Sequence, residues 1–166
     1  MKNSSFKAGD KIVYPGHGVG VINSVLSKKI GEEVAHVFDI TIMTPGTRVS
    51  RVFVPTKQAE VSGLRAIIGK TDVSKVWAIL KNTKVNIKAE TWNRRYRQYS
   101  EKLNTGSVFE IAEVVRDLHI LGDGKELSFG EKSMLEKAEN LLASELAFSK
   151  AKPQESVIEE IKGLYA

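Results

Sequence analysis

The feature that most constrains the fold of this chain is a change in the period of its apolar residues near Gly69. From Lys11 to Pro55 the apolar positions fall at strand spacing and in β-branched types: Lys11 to Tyr14, Gly18 to Leu26, Val34 to Met43 and Arg48 to Pro55. Side chains on a strand point to opposite faces in turn, so this pattern predicts four or five strands. The breaks at Pro15-Gly16, Gly31-Glu32-Glu33 and Thr44-Pro45-Gly46 are turn sequences, and connections this short join antiparallel neighbours. A sheet of this size buries little unless it curls. Residues 6–65 are therefore expected to form a small SH3-like or Tudor-like barrel, with Gly18 and Gly20 letting its second strand bend.

Beyond Gly69 no strand-like segment remains, and helical spacing runs on to Ala166. Thr71 is expected to cap a helix through Leu80, with Val73, Val76, Trp77 and Leu80 on its core face. A loop over Asn82 to Lys88 leads to a second helix, Trp92 to Leu103, capped by Thr91 and ended at Gly106. Ser107 with Glu110, and Ser128 with Glu131, are two S-x-x-E capping boxes, the second opening a helix from Phe129 to about Lys150. Val157 to Leu164 can add a short fifth helix. The expected class is thus α+β, with a β-domain over residues 1–69 and an all-α domain of about five helices over 70–166.

Several functions are disfavoured. The 166 residues contain no apolar run near the roughly 20 that a membrane helix needs, nor the parts of a signal peptide, which points to the cytoplasm. With no cysteine, and with His17, His36 and His119 scattered, neither a metal nor another cofactor is expected. The Gly-rich stretch from Pro15 to Gly20 lacks the Lys-Ser/Thr of a phosphate loop and enters a strand. No nucleophile adjoins His17 and no acidic pair stands out, so there is no catalytic constellation and an enzyme is not expected.

The net charge of +5 is unevenly spread: residues 1–69 carry +4, residues 70–105 carry +6 and residues 106–166 carry −5. A polyanion contact should therefore centre on the middle block. There, Trp92, Tyr96, Tyr99 and Leu103 share one helical stripe, with Arg95 and Lys102 along one border and Arg94 and Arg97 projecting to other sides. One reading makes the aromatics an ordinary core stripe and the arginines its solvated face. The other makes Trp92, in the first turn beside the longest loop, a minor-groove wedge with cations on the flanking phosphates. In the β-domain, Arg48, Ser50, Val52 and Val54 alternate with Val49, Arg51 and Phe53. Two mixed faces suit an edge strand, either solvated or open to a partner strand.

Long blocks, in order, carry a resemblance: Phe6 to Gly20, Val54-Pro55, Thr91 to Arg97, Gly106 to Leu118 and Leu127 to Lys132. Over nearly its whole length the chain resembles the CarD/CdnL family of bacterial RNA polymerase-binding regulators. The resemblance implies a Tudor-like domain docked on the polymerase β subunit and a helical domain at the upstream edge of the transcription bubble. By motif it places Trp92 in the minor groove of promoter DNA, with Arg94, Arg95, Arg97 and Lys132 on phosphates. Lys28, Arg48, Arg51 and Phe53 are the residues expected at the polymerase, Phe53 standing where some members have an arginine before the Val-Pro pair. It also implies a monomer that does not read sequence strongly. The alternative is a polymerase-binding interaction module with no direct DNA contact, Trp92 then being core.

Overall fold

The structure, a computed structural model, describes residues 6–43 and 49–166, which fall into two compact units, Met1–Ile67 and Ile68–Ala166. In the first unit β1 (Lys11–Tyr14), β2 (Gly18–Ile30), β3 (Glu33–Met43), β4 (Val49–Pro55) and β5 (Arg65–Ala66) form one antiparallel sheet in the order β4-β3-β2-β1-β5. Ile12, Ile22, Phe38, Ile40, Ile42 and Val54 build its core, closed by Leu64 and by Ala59 of a short helix α1 (Thr56–Val61). Strand periodicity does not anticipate α1, because its six residues bury Ala59 alone and so leave no helical stripe to see. The expected turn at Thr44-Pro45-Gly46 lies outside the described residues.

Two local departures from a regular ladder shape β2. The pairing of β2 with β3 shifts between Ile22 and Ser24, so Asn23 is an extra, bulged residue. Gly20 faces Ile42 across the same ladder, where a Cβ would stand 2.6 Å from the Thr41 carbonyl oxygen. Glycine is required at position 20 by this close approach of two backbones.

The second unit holds α2 (Lys70–Lys81), α3 (Trp92–Asn104), α4 (Val108–Leu121), α5 (Phe129–Lys150) and α6 (Gln154–Gly163). The central helix is α4, with Val108, Ile111, Ala112, Val114, Val115 and Leu118 buried. Around it pack Val73, Val76 and Leu80 of α2, Met134, Ala138, Leu142 and Leu146 of α5, and Val157 and Ile161 of α6. The C-terminal segment is held by Tyr165, which stacks on His119 at 4.3 Å and donates from its phenol to the Leu80 carbonyl at 2.5 Å. Burial pushes that phenol up to about 12. Trp77 packs half-buried against the core, with the Lys150 ammonium 5.1 Å above its ring.

Two helix starts differ from the sequence expectation. α2 begins at Lys70 after an extended Gly69, so Thr71 does not cap it. The preceding backbone is fixed from elsewhere: the Glu145 carboxylate accepts from the Ile68 N–H at 3.1 Å, and the Ser149 hydroxyl donates to the Ile68 carbonyl at 2.9 Å. Ser107 precedes α4 but its side chain makes no capping bond, and its N–H donates at 3.2 Å to the Thr105 hydroxyl oxygen, which in turn donates to the Glu110 carboxylate that the box would have used. The Ser128–Glu131 box does form, with both reciprocal bonds at 3.1–3.2 Å.

Ser128→Ala should therefore cost about 1 kcal/mol in chemical denaturation, whereas Ser107→Ala, which breaks no cap bond, should cost only a few tenths. Gly20→Ala should destabilise the β unit by about 1–3 kcal/mol through backbone overpacking, read as a lower denaturation midpoint.

Candidate functional site

The polar helix α3 commits little to the core. Of its aromatic and apolar stripe, Tyr99 and Leu103 in the C-terminal half are buried, while Trp92 is half-buried and Tyr96 is 52% exposed. Burial, and then the nearby Asp117 carboxylate, drive the Tyr99 phenol above its ordinary range. The stripe thus divides by position: its C-terminal end is buried core, and at its N-terminal end Trp92 packs half-buried against that core while Tyr96 is exposed.

The first turn of α3 is set by Thr91, whose hydroxyl oxygen accepts from the Arg94 N–H at 3.4 Å. There the Trp92 indole lies over Gly130 of α5, where a Cβ would come within 3.0 Å of the indole nitrogen. Tyr96 meets the indole edge-on at 5.6 Å. The half-buried indole also packs against the helical core.

Helix α3 and the start of α5 carry several cations. Arg94 and Arg97 are exposed and have no carboxylate within ion-pair distance among the described residues. Arg95 is half-buried and donates to the Lys88 carbonyl at 3.4 Å. Lys132, on α5, bridges Glu126 at 2.9 Å, but both side chains are well exposed, so this pair is solvated and weak. At the start of α5, burial opposes ionisation of Glu131, yet bonds from Ser128 and the charges of Lys125 and Arg95 hold its carboxyl below the usual range. Arg95 of α3 and Lys125 thus project their field onto the start of α5. Lys102, at the other end of the stripe, is taken up by Glu113 at 2.7 Å.

The β unit presents a second cluster. Among the described residues β4 pairs with β3 alone, so it is an edge strand. Phe53 is 46% exposed there, with the Lys28 ammonium 4.7 Å and the Arg51 guanidinium 5.3 Å from its ring centre. Three of the four residues expected at the partner surface therefore come together, and the fourth, Arg48, lies outside the described residues.

Sequence reasoning missed what orients Arg51. Its guanidinium donates twice to the buried Asp39 carboxylate, at 2.9 and 2.6 Å. The bulged Asn23 donates to the same carboxylate at 3.3 Å and to the Thr41 hydroxyl oxygen at 2.7 Å. The signal was present in part, as a lone aspartate within the apolar run Val37 to Ile42. The hydrogen bond from Arg51 is the main reason the Asp39 carboxyl titrates below its ordinary 3.8. A depressed folded-state pKa stabilises the folded protein above the unfolded value, and that contribution is lost as pH falls through the folded one. The stability difference between the protein and Asp39→Asn should accordingly be level from about pH 5 to 7 and shrink below 3.8, in denaturation midpoints measured against pH.

Comparison with known proteins follows the two units. Residues 6–68 match the family described as CarD-like/TRCF RID domain, and residues 75–162 match that described as CarD, C-terminal domain. A Bacillus subtilis (strain 168) protein named "Putative transcription factor YdeB" is 33% identical over 141 residues, covering 85% of this chain and 90% of that protein. With both family matches in order along one chain, and a relative aligned across most of its length, the protein belongs to the CarD/CdnL family of transcription regulators.

Proposed function

We propose that the protein binds the RNA polymerase β subunit through residues 1–69, as a Tudor-like module, and promoter DNA through residues 70–166. In this reading it acts as a cytoplasmic monomer and stabilises the open complex. The observation that supports it is the half-buried Trp92 indole in the first turn of α3, packed over Gly130, on a helix whose Arg94 and Arg97 are exposed. An apolar wedge enters a minor-groove base step only if cations hold the adjacent phosphates. Arg94, Arg95, Arg97 and Lys132 have that role, and none of them reads a base edge, so sequence selectivity is low.

The polymerase contact uses the β4 edge. Its free backbone groups can accept a partner strand, while Phe53, Lys28, Arg51 and Arg48 give the partner apolar and cationic features to match. Tethered in this way, the helical unit acts at high local concentration, so a weak DNA contact suffices. A wedge that fits melted better than closed DNA shifts the melting equilibrium by its differential affinity, tenfold for about 1.4 kcal/mol.

The test is open-complex lifetime on a promoter with purified bacterial polymerase. The protein should prolong it, and Trp92→Ala should remove most of that gain, about tenfold, while still binding polymerase. Equal lifetimes with the two proteins would make Trp92 structural and leave the polymerase contact as the whole function. Quenching of Trp92 emission by DNA, recorded in a Trp77→Phe background, reports the contact directly.

A further inference from the structure

The helical unit holds a pocket of about 1110 Å³ lined by α2, the end of α5 and α6 with its flanks. It is roomy enough for a small molecule, and it shares no residue with α3 or with the start of α5. Its apolar part is made by Val73, Trp77 and Ala78 of α2 and by Leu164. Its charge is one-sided, with Lys70, Lys81, Lys150 and Lys152 set against a single acid, Glu160. Glu160 bridges Lys152 at 3.1 Å, while Lys70, Lys81 and Lys150 are exposed and have no carboxylate within ion-pair distance among the described residues. The Lys150 ammonium, 5.1 Å above the Trp77 ring, brings positive charge and apolar surface together. One donor is left over. The Trp77 indole N–H is buried and has no hydrogen-bond acceptor, and among the described residues no other buried side-chain polar atom is in that state. Burying a donor without an acceptor costs free energy, so this atom calls for a partner from outside the fold.

We propose that this pocket binds a phosphorylated small molecule with an apolar or planar body, of the class of the nucleoside diphosphates. The inference is independent of the DNA reading given above. Lysine ammoniums are compact point charges that draw an oxyanion from several directions, and four of them around one acid suit a ligand with more than one negative charge. Val73, Ala78 and Leu164 then cover its body, and the indole N–H donates to an oxygen that the ligand brings. The hydroxyls that line the pocket are already engaged. Ser149 donates to the Ile68 carbonyl and Ser74 to that of Lys70, which leaves the indole and the lysines as the donors a ligand meets. A bare inorganic anion would satisfy the lysines and leave the apolar part wet. An uncharged apolar molecule would do the reverse.

The test is calorimetric titration of the full-length protein with ADP, inorganic pyrophosphate and adenosine. ADP should bind, and each of the other two should bind about tenfold more weakly or worse, a difference of about 1.4 kcal/mol. Lys81→Ala and Trp77→Phe should each weaken ADP binding about tenfold. Trp77→Phe keeps an aromatic ring and breaks no internal hydrogen bond, so its thermal transition should stay cooperative. In a Trp92→Phe background Trp77 is the one remaining tryptophan, and ADP should change its emission. Absence of ADP binding, equal binding of ADP and pyrophosphate, or full ADP affinity in both Lys81→Ala and Trp77→Phe overturns the proposal. So does displacement of ADP by duplex DNA with an equal loss of duplex binding in Lys81→Ala, which assigns these lysines to the DNA contact instead.

Discussion

Everything at the indole depends on how α3 is anchored. The helix is too polar to be held by burial along its length, and only Tyr99 and Leu103 enter the core. Because successive residues turn by about 100°, fixing these two side chains fixes the direction of Tyr96 and Trp92, one and two turns earlier. The Thr91 cap then fixes where the helix starts. The first turn is thereby held in place while Trp92 is only half-buried and Arg94 stays exposed. A site presented in this way loses little conformational entropy on meeting a ligand.

The division of α3 into a buried and an exposed half was not available from periodicity, which treats Trp92, Tyr96, Tyr99 and Leu103 alike. What separates them is how much of each is covered: Tyr99 and Leu103 are buried, Trp92 packs half-buried against the same core and over Gly130, and Tyr96 is exposed. The two capping boxes make the same point. Ser107–Glu110 and Ser128–Glu131 are equivalent as motifs, but at the first a hydroxyl outside the motif, that of Thr105, stands between the Glu110 carboxylate and the Ser107 N–H. By contrast, the strands around their turns, the cap at Thr91 and the span of α5 follow from local chemistry and were readable directly. The Asn23 bulge and the short α1 leave no periodic trace.

On the β unit, one aspartate organises the exposed edge. A buried carboxylate must be hydrogen-bonded, and Asp39 recruits both Arg51 and the bulged Asn23. The guanidinium is held by Asp39 and lies within reach of the Phe53 ring, so much of its charge is balanced internally. Lys28 stands over the same ring, 4.7 Å from its centre.

The clasp on Ile68 bears on how this protein can vary through evolution. Glu145 and Ser149 hold the N–H and carbonyl of Ile68, not its side chain. Mutational drift among apolar residues at position 68 leaves both bonds in place, and proline alone removes the donor. Selection on where the helical unit begins therefore falls on two residues of α5, 77 and 81 positions further along the chain.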